Sequence, residues 1–424
     1  MARRRNGGDE GSGGRKLPRQ LRGFGASCAA RSRGVSEVVT LGCRLNLAES
    51  ERLAAMLAGA GNVVVVNSCA VTGEALRQTR QAIRRARRAN PDARLLVTGC
   101  AAEIDRAAIA AMPEVDGLVS NHAKLDPRAW NLPLPDERPA APRRTRAFIA
   151  VQNGCDHACS FCVIPMGRGP SRSRPAAAVI AEVESACRAG AREVVLTGVD
   201  LASWGADLAQ APRLGQLVGE ILDAVPALLR LRLSSLDPAA IDERLLALFA
   251  GAPRLMPHLH LSLQHGDDLM LKRMKRRHRR AAVIALVAGL RARRPDLAIG
   301  ADLIAGFPTE DEAAHHANLS IIAELGIVHG HVFPFSARAP APASRMPQTA
   351  AATIRARAAE LRAALDGARE SWLRSLVGQP LEILAERDGT GHSRHFARMA
   401  LPARTAPGEL VTLTPGRVIE GLLG

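Results

Sequence analysis

The chain has 424 residues, 47% of them hydrophobic and 23% charged, which is enough for two or three cored domains and too apolar for wholesale disorder. Lys and Arg number 57 against 41 Asp and Glu, so the formal net charge of +16 points to a polyanionic partner. With no Tyr and only 3% aromatic residues, the chain lacks the platforms to read single-stranded nucleic acid mainly by stacking, and an acidic partner must be held by Arg and backbone.

Residues 1–34 carry nine basic and two acidic residues among Gly and Ser, with no apolar core of signal-peptide kind. They read as a disordered basic arm, or as an over-called translation start, with Cys28 a passenger. No later run approaches the ~18 consecutive apolar residues of a membrane span, so a cytoplasmic protein is expected. The eight cysteines then point to metal or redox chemistry rather than disulfides.

From Ser36 short β-branched runs alternate with Ala/Leu/Arg-rich stretches, the pattern of βα units on a parallel sheet. Three units are expected in a domain over residues 35–125, with strands at 37–41, 63–66 and 95–98. Each strand runs into a cysteine. Cys43, Cys69 and Cys100 therefore lie at the carboxyl edge of one sheet, where α/β folds bind ligands, and the repeated placement favours a shared metal site over three separately buried thiols. Residues 126–142, with Pro127, Pro133, Pro135, Pro139 and Pro142, read as a linker.

Six further strand-then-helix units are expected in residues 143–370, with strands at 147–152, 193–197, 231–234, 259–263, 298–304 and 330–335. Six parallel units suggest a partial (β/α)6 barrel, open on one side, with its site at the carboxyl ends. Residues 371–424 change texture to short strands at 381–384 and 410–413, broken by Asp388-Gly389 and Pro407-Gly408, and fit a small β-barrel. The fold class is α/β throughout, apart from this tail.

Directly after the first barrel strand comes Gly154-Cys155-Asp156-His157-Ala158-Cys159-Ser160-Phe161-Cys162. Three thiolates so spaced can ligate three irons of a four-iron cube and leave the fourth open to a small molecule. The same spacing also matches a zinc site or a buried helical face, but structural zinc wants four closed ligands, and only His157, inside the loop itself, is near.

This loop resembles that of the radical S-adenosylmethionine enzymes, and the chain from Ser36 to Gly424 resembles their methylthiotransferase branch. The matching stretches are Leu41-Gly42-Cys43-Arg44-Leu45-Asn46, Asn67-Ser68-Cys69-Ala70-Val71-Thr72, Thr98-Gly99-Cys100 and Arg168-Gly169-Pro170-Ser171-Arg172-Ser173-Arg174. Beyond them come Thr197-Gly198-Val199-Asp200, the run from His260 to Gly266, the run from Asp302 to Pro308, and Phe333-Pro334-Phe335-Ser336. Within the branch, the opening motif, Val71-Thr72 and Thr-Gly-Val-Asp are most similar to the enzymes that modify threonylcarbamoyladenosine at position 37 of tRNA.

The resemblance implies two [4Fe-4S] clusters. The open iron of the one on Cys155, Cys159 and Cys162 would chelate S-adenosylmethionine, whose one-electron cleavage yields methionine and a 5′-deoxyadenosyl radical that activates C2–H of the adenine. The cluster on Cys43, Cys69 and Cys100 would present or donate the sulfur, and a further S-adenosylmethionine the methyl group. It implies as partners the tRNA anticodon loop and an electron donor of flavodoxin or ferredoxin type, with no membrane, and a protein that is itself a monomer. Thr197, Gly198 and Asp200 are then candidates for the methionine end of the cofactor, Ser234 with Ser235, Gln264 and Asp302 for its ribose or carboxylate, and Arg168 for a carboxylate or phosphate.

Cys187, within an Ala-rich stretch, reads as packing, and His258 and His260 alternate with apolar residues as barrel-facing side chains. The run Lys272, Arg273, Lys275, Arg276, Arg277, Arg279, Arg280 packs seven basic residues into nine positions of one expected helix, with no acid among them. A phosphate backbone would relieve their repulsion, so nucleic-acid contact is expected there. The tail resembles the RNA-binding TRAM module in Gly391-His392-Ser393 and from Gly408 to Gly421, but is short. Competing readings keep the radical chemistry with isopentenyladenosine or a ribosomal-protein aspartate as substrate, or reduce the protein to an iron–sulfur carrier.

Overall fold

Four consecutive valines make the centre of the first sheet, because β-branched residues suit a strand that is covered on both faces. The computed structural model describes residues 36–131 and 145–424; the basic arm and Pro133, Pro135, Pro139 and Pro142 of the expected linker lie outside them. The elements of this domain run β1 (Glu37–Thr40), α1 (Arg44–Met56), β2 (Val63–Ser68), α2 (Gly73–Ala89), β3 (Arg94–Gly99), α3 (Cys100–Ile104), α4 (Arg106–Ala110) and β4 (Gly117–Leu118). The sheet is parallel in the order β1-β2-β3-β4, and every residue of β2 is buried. The two-residue β4 has no β-branched run to announce it. Pro127–Trp130, assigned above to the linker, instead forms a 3-10 turn whose Trp130 is buried beside Leu53 and Val63 and donates Nε1–H to Lys124 O at 2.8 Å.

The central domain continues with β5 (Arg146–Ala150), β6 (Gln152–Asn153), α5 (Ile164–Arg168), β7 (Arg172–Ser173), α6 (Ala176–Arg188), β8 (Glu193–Thr197), α7 (Leu214–Ala224) and β9 (Arg230–Leu233). Then follow α8 (Glu243–Gly251), β10 (His258–Gln264), α9 (Asp268–Arg273), α10 (Arg280–Arg293), β11 (Ala298–Ala305), α11 (Glu312–Glu324), β12 (Ile327–Pro334) and α12 (Ala351–Ser375). β5-β8-β9 and β10-β11-β12 are parallel ladders, joined where Ser262 N donates to Leu236 O at 2.8 Å and Leu236 N to His260 O at 2.9 Å. Among the described residues no ladder joins β12 back to β5; α1 packs along β5 and α12 along β11 and β12.

Period-two alternation sorts this barrel into two faces. Ile149, Val194, Leu196, Leu231, Leu233, Leu259, Leu261, Ile299 and Leu303 pack into the core beneath the helices. Between them on the same strands, Arg146, Glu193, Arg232, His258, His260 and Asp302 point the other way, into the lumen. The helix-facing side thus carries the hydrophobic stabilisation and leaves the lumen free to be polar.

The basic run is not one helix. α9 stops at Arg273, Lys275 takes a left-handed φ of 57°, and Arg276 N donates back to Leu271 O at 2.8 Å, a Schellman-type ending. α10 starts afresh at Arg280.

The tail comprises β13 (Leu381–Ala385), β14 (Thr390–Ser393), β15 (Arg398–Ala400), β16 (Leu410–Leu413), β17 (Val418–Ile419) and β18 (Leu422–Leu423), a mixed sheet in the order β16-β13-β14-β15-β18-β17. α12 crosses the boundary placed at 370/371, and its Leu373 joins the core of the tail. The turn between β14 and β15 pushes Phe396, at φ 73°, into the amino-end opening of the barrel. Its ring lies 4.8 Å below the Arg232 guanidinium, 5.2 Å from that of Arg146 and 5.1 Å from the His258 ring, residues of three different strands. Arg230 donates to Glu382 Oε1 at 2.7 Å and His392 O at 3.0 Å, and Arg146 pairs with Glu386 at 2.7 Å.

Glu193 holds the amino end together, pairing with Arg146 at 2.7 Å and Arg232 at 3.1 Å while fully buried. Burial opposes its charge, but Arg232 and Arg146 outweigh burial and hold the carboxyl well below 4.5. Its contribution is therefore complete above the unfolded value and is lost as pH falls toward the folded one. Glu193→Gln, which strands two buried guanidinium groups, is expected to cost about 3–5 kcal/mol at neutral pH. Chemical denaturation from pH 7 down to pH 4 checks this: the gap between wild type and variant should narrow on acidification.

Candidate active site

The loop between β6 and α5 gathers Cys155, Cys159 and Cys162. It is closed at its base by the antiparallel β6–β7 pair and by Cys155 N donating to Gly169 O at 3.1 Å. Gly154 makes that closure possible: at φ 75°, a Cβ there would sit 1.9 Å from Pro170 O. Each sulfur receives a donor: His157 N to Cys155 Sγ at 3.4 Å, Ile164 N to Cys162 Sγ at 3.4 Å and Arg276 Nη1 to Cys159 Sγ at 3.5 Å. Burial pushes the Cys155 thiol up to about 11 and the Cys162 thiol up to about 12, so a metal must displace protons to bind. The one imidazole in the loop is engaged elsewhere, with His157 Nε2 2.7 Å from Asp200 Oδ2. Three soft donors without a fourth suit a cluster with an open iron better than a closed zinc site.

Around the loop lie the strand ends singled out above. Gln152 Oε1 accepts from Val199 N at 3.0 Å and Asp200 N at 2.9 Å, shaping the Thr197–Asp200 turn, and a Cβ on Gly198 would lie 2.9 Å from that oxygen. Ser234 Oγ is buried at the end of β9 with no protein partner, the kind of orphan that a polar ligand satisfies. Gln264 ends β10 in the left-handed region at φ 71°, beside a register shift. Asp302 Oδ1 lies 3.1 Å from His260 Nε2 and 2.9 Å from His331 Nδ1, inside the lumen.

Cys43, Cys69 and Cys100 converge at the carboxyl edge of the first sheet, close enough for their thiols to perturb one another. Burial raises Cys69 to about 12 and also raises Cys100. Gly42, at φ 90°, is required here, since a Cβ would come 2.7 Å from Cys69 Sγ. This donor set likewise fits three irons of a cluster.

Arg168 is a correction. It was expected to hold a cofactor carboxylate or a phosphate, yet its donors are spent within the protein: Nη1 and Nη2 each lie 3.0 Å from Glu49, and they also donate to Asn153 and Asn46. Lys124 Nζ approaches the same Glu49 at 2.6 Å, and all three side chains are buried. Burial opposes the charge on Glu49, but Arg168 and Lys124 outweigh it and keep the carboxyl below its ordinary range. The Arg168 guanidinium also lies close enough to the Cys100 thiol to favour its ionised form against burial. It is a positioning residue that fastens α5 and the first triad to each other.

The basic run is corrected in part: it is neither one helix nor without acidic partners. Asp237 takes Arg276 at 3.3 Å and Arg277 at 3.1 Å, Glu324 takes Arg280, and Arg273 donates to Thr309 Oγ1 at 2.6 Å. The acids lie far off in sequence but close in space, and Arg276 serves Cys159 rather than the surface. Lys272, Lys275, Arg277 and Arg279 remain exposed. Sequence reasoning passed over a second basic face, although α2 reads Arg77, Arg80, Arg84, Arg85, Arg87, Arg88 at helical spacing opposite its buried Leu76, Thr79, Ile83 and Ala86. Gly73, the first residue of α2, donates to Ser336 Oγ at 3.2 Å, which ties this helix to the carboxyl edge of the barrel.

Comparison with known proteins agrees with this arrangement. Residues 149–319 match the Radical SAM superfamily, and residues 36–120 match the Uncharacterized protein family UPF0004. The chain is 42% identical over 406 residues to the threonylcarbamoyladenosine tRNA methylthiotransferase MtaB of Rickettsia prowazekii, covering 91% of this chain and 96% of that protein. It is 34% identical to the tRNA-2-methylthio-N(6)-dimethylallyladenosine synthase of Chloroflexus aurantiacus, covering 84% and 82%. Among solved structures, the cobalamin-dependent S-adenosylmethionine radical enzyme OxsB shares the fold with a TM-score of 0.50 at 10% identity, covering 68% of this chain and 52% of that one. The chain is a radical S-adenosylmethionine protein by fold and superfamily. It belongs to the methylthiotransferase family of these enzymes, whose cofactors are S-adenosylmethionine and [4Fe-4S] clusters.

Gly42→Ala is expected to cost one cluster and spare the other. After anaerobic reconstitution, iron should fall from about eight to about four per chain. Wild-type iron content in the variant would show that the first triad tolerates a Cβ it has no room for.

Proposed function

We propose that this chain adds a methylthio group to C2 of N6-threonylcarbamoyladenosine at position 37 of tRNA. The observation that carries the reading is the 42% identity to the Rickettsia enzyme across 91% of this chain and 96% of that one, a span long enough to take in both cysteine triads. The isopentenyladenosine reading has the lower identity of 34%. Cys155, Cys159 and Cys162 would hold one [4Fe-4S] cluster beside the S-adenosylmethionine site, and Cys43, Cys69 and Cys100 would hold the second. Bound there, the clusters and S-adenosylmethionine supply the radical, the sulfur and the methyl group.

The chain's own residues do the rest. Gln152 and Gly198 shape the turn that receives the methionine end, with Thr197 and Asp200 on it, and Ser234 offers a hydroxyl that nothing else uses. Asp200 holds His157 and so steadies the cluster loop. Arg276 places a cation against Cys159. Phe396 fills the amino end of the lumen and α1 packs along β5 beside its open side, which limits the access of water. Arg84, Arg85 and Arg88 of α2, with Lys272, Lys275 and Arg279, supply exposed cations for the tRNA backbone. The tail sheet is an RNA-binding module of TRAM type. The enzyme acts as a cytoplasmic monomer and draws electrons from a flavodoxin or ferredoxin; no described helix is long and apolar enough to cross a membrane.

Mass spectrometry of tRNA nucleosides from a strain lacking the gene tests the reading. The methylthio form of threonylcarbamoyladenosine should vanish and its unmethylthiolated precursor accumulate. Persistence of that nucleoside with loss of the isopentenyl one would overturn the substrate. Changing Arg84, Arg85 and Arg88 together to Gln should weaken tRNA binding and flatten the slope of log K against log salt by about two.

A further inference from the structure

Arg44 opens α1 immediately after Cys43, yet its side chain leaves the first domain and enters the barrel, where its guanidinium carbon stands 5.8 Å from the Phe396 ring. The carboxylates around it have other partners: Glu193 binds Arg146 and Arg232, and Asp302 lies against His260 and His331. Among the described residues, Arg44 makes no ion pair and no hydrogen bond through its guanidinium, so its ring contact with Phe396 stands alone. An Arg brought into a lumen already holding the Arg146 and Arg232 guanidinium groups costs desolvation and repulsion, which Asp302 and Glu193 offset only in part and without touching it.

We propose that Arg44 is the specificity-determining residue that receives the carboxylate on the N6 substituent of the target adenine. This deepens the proposed function and rests on it. A base inserted into a pocket has its ribose at the entrance, so the N6 side, opposite the glycosidic bond, leads into the lumen. Threonylcarbamoyl ends in a carboxylate, whereas isopentenyl has no charge. A planar guanidinium takes a carboxylate through two parallel hydrogen bonds, and a site that must pair a buried cation rejects a neutral analogue more strongly than an apolar pocket can. The position in the chain suits this role. Arg44 is covalently next to Cys43, so the group that reads N6 and the triad that holds the second cluster share one helix start, and C2 and C6 of adenine are separated by a single ring nitrogen.

The methionine carboxylate of S-adenosylmethionine offers the same chemistry, so the test must separate the two. The reconstituted holoenzyme, as wild type, Arg44→Gln and Arg44→Lys, is assayed for binding to anticodon stem-loops with threonylcarbamoyladenosine or unmodified adenosine at position 37. The KM for S-adenosylmethionine and the methylthio product are measured alongside. Wild type should prefer the modified stem-loop by about 10- to 100-fold. Arg44→Gln should bring that preference near unity without weakening the unmodified stem-loop or raising the KM for S-adenosylmethionine, and Arg44→Lys should keep part of it. A full preference retained by Arg44→Gln in an enzyme that still makes the product overturns the proposal and leaves the function standing. A raised KM for S-adenosylmethionine with the preference intact assigns the guanidinium to the cofactor and equally overturns it. A wild type with no preference and no methylthio product defeats the underlying function instead.

Discussion

One buried carboxylate sets the geometry on which both cysteine triads depend. Glu49 lies on α1 of the first domain and is gripped from one side by Arg168, at the end of the helix that follows the cluster loop, and from the other by Lys124. Burying three charges is expensive, and a well-packed apolar cluster of the same volume would serve stability at least as well. What apolar packing would not give is direction. The Arg168 fork meets Glu49 through two parallel bonds and adds Asn46 and Asn153, so the two domains meet in one orientation. The same guanidinium lies against Cys100, which makes the clamp part of the electrostatic surroundings of the first triad as well as its mechanical support.

The barrel shows a second use of the same economy. Its strands give their apolar side to the helices, which leaves a lumen of Arg, Glu, His and Asp that no single barrel element could satisfy. The tail answers part of that demand. Arg230, Arg232 and Arg146 each find a carbonyl or carboxylate on β13, on β14 or in the turn that follows one of them, and Phe396 covers what remains. A module whose resemblance suggests RNA binding is thus also a structural plug of the catalytic domain.

Much of this was legible in the sequence. The six barrel strands lie where β-branched and alternating runs placed them, because a strand with one face on a core writes its period into the chain. The three strands ending in cysteines were legible for the same reason. Period does not reveal partners that are distant in sequence. Arg168 looked like a free ligand because Glu49 is 119 positions away. The run from Lys272 to Arg280 looked uncompensated because Asp237 and Glu324 lie outside it, and looked helical because a left-handed Lys275 has no compositional mark. The α2 arginines were plainly written, but a shorter and denser run drew attention from them. Trp130 appeared to belong to a linker because prolines dominate its surroundings, although Pro127 merely opens a turn.

α5 has only five residues, beginning two positions after Cys162 and ending with Gly167 and Arg168 against Cys100. A helix that short has no slack: each residue advances about 1.5 Å and rotates by roughly 100°. It therefore acts as a gauge block between the two sites, setting their separation and their mutual angle at once. Surface loops elsewhere can grow or shrink at small entropic cost. This one segment cannot change by a single residue without swinging one triad out of phase with the other, so its length is as much a functional specification as the identity of the cysteines on either side.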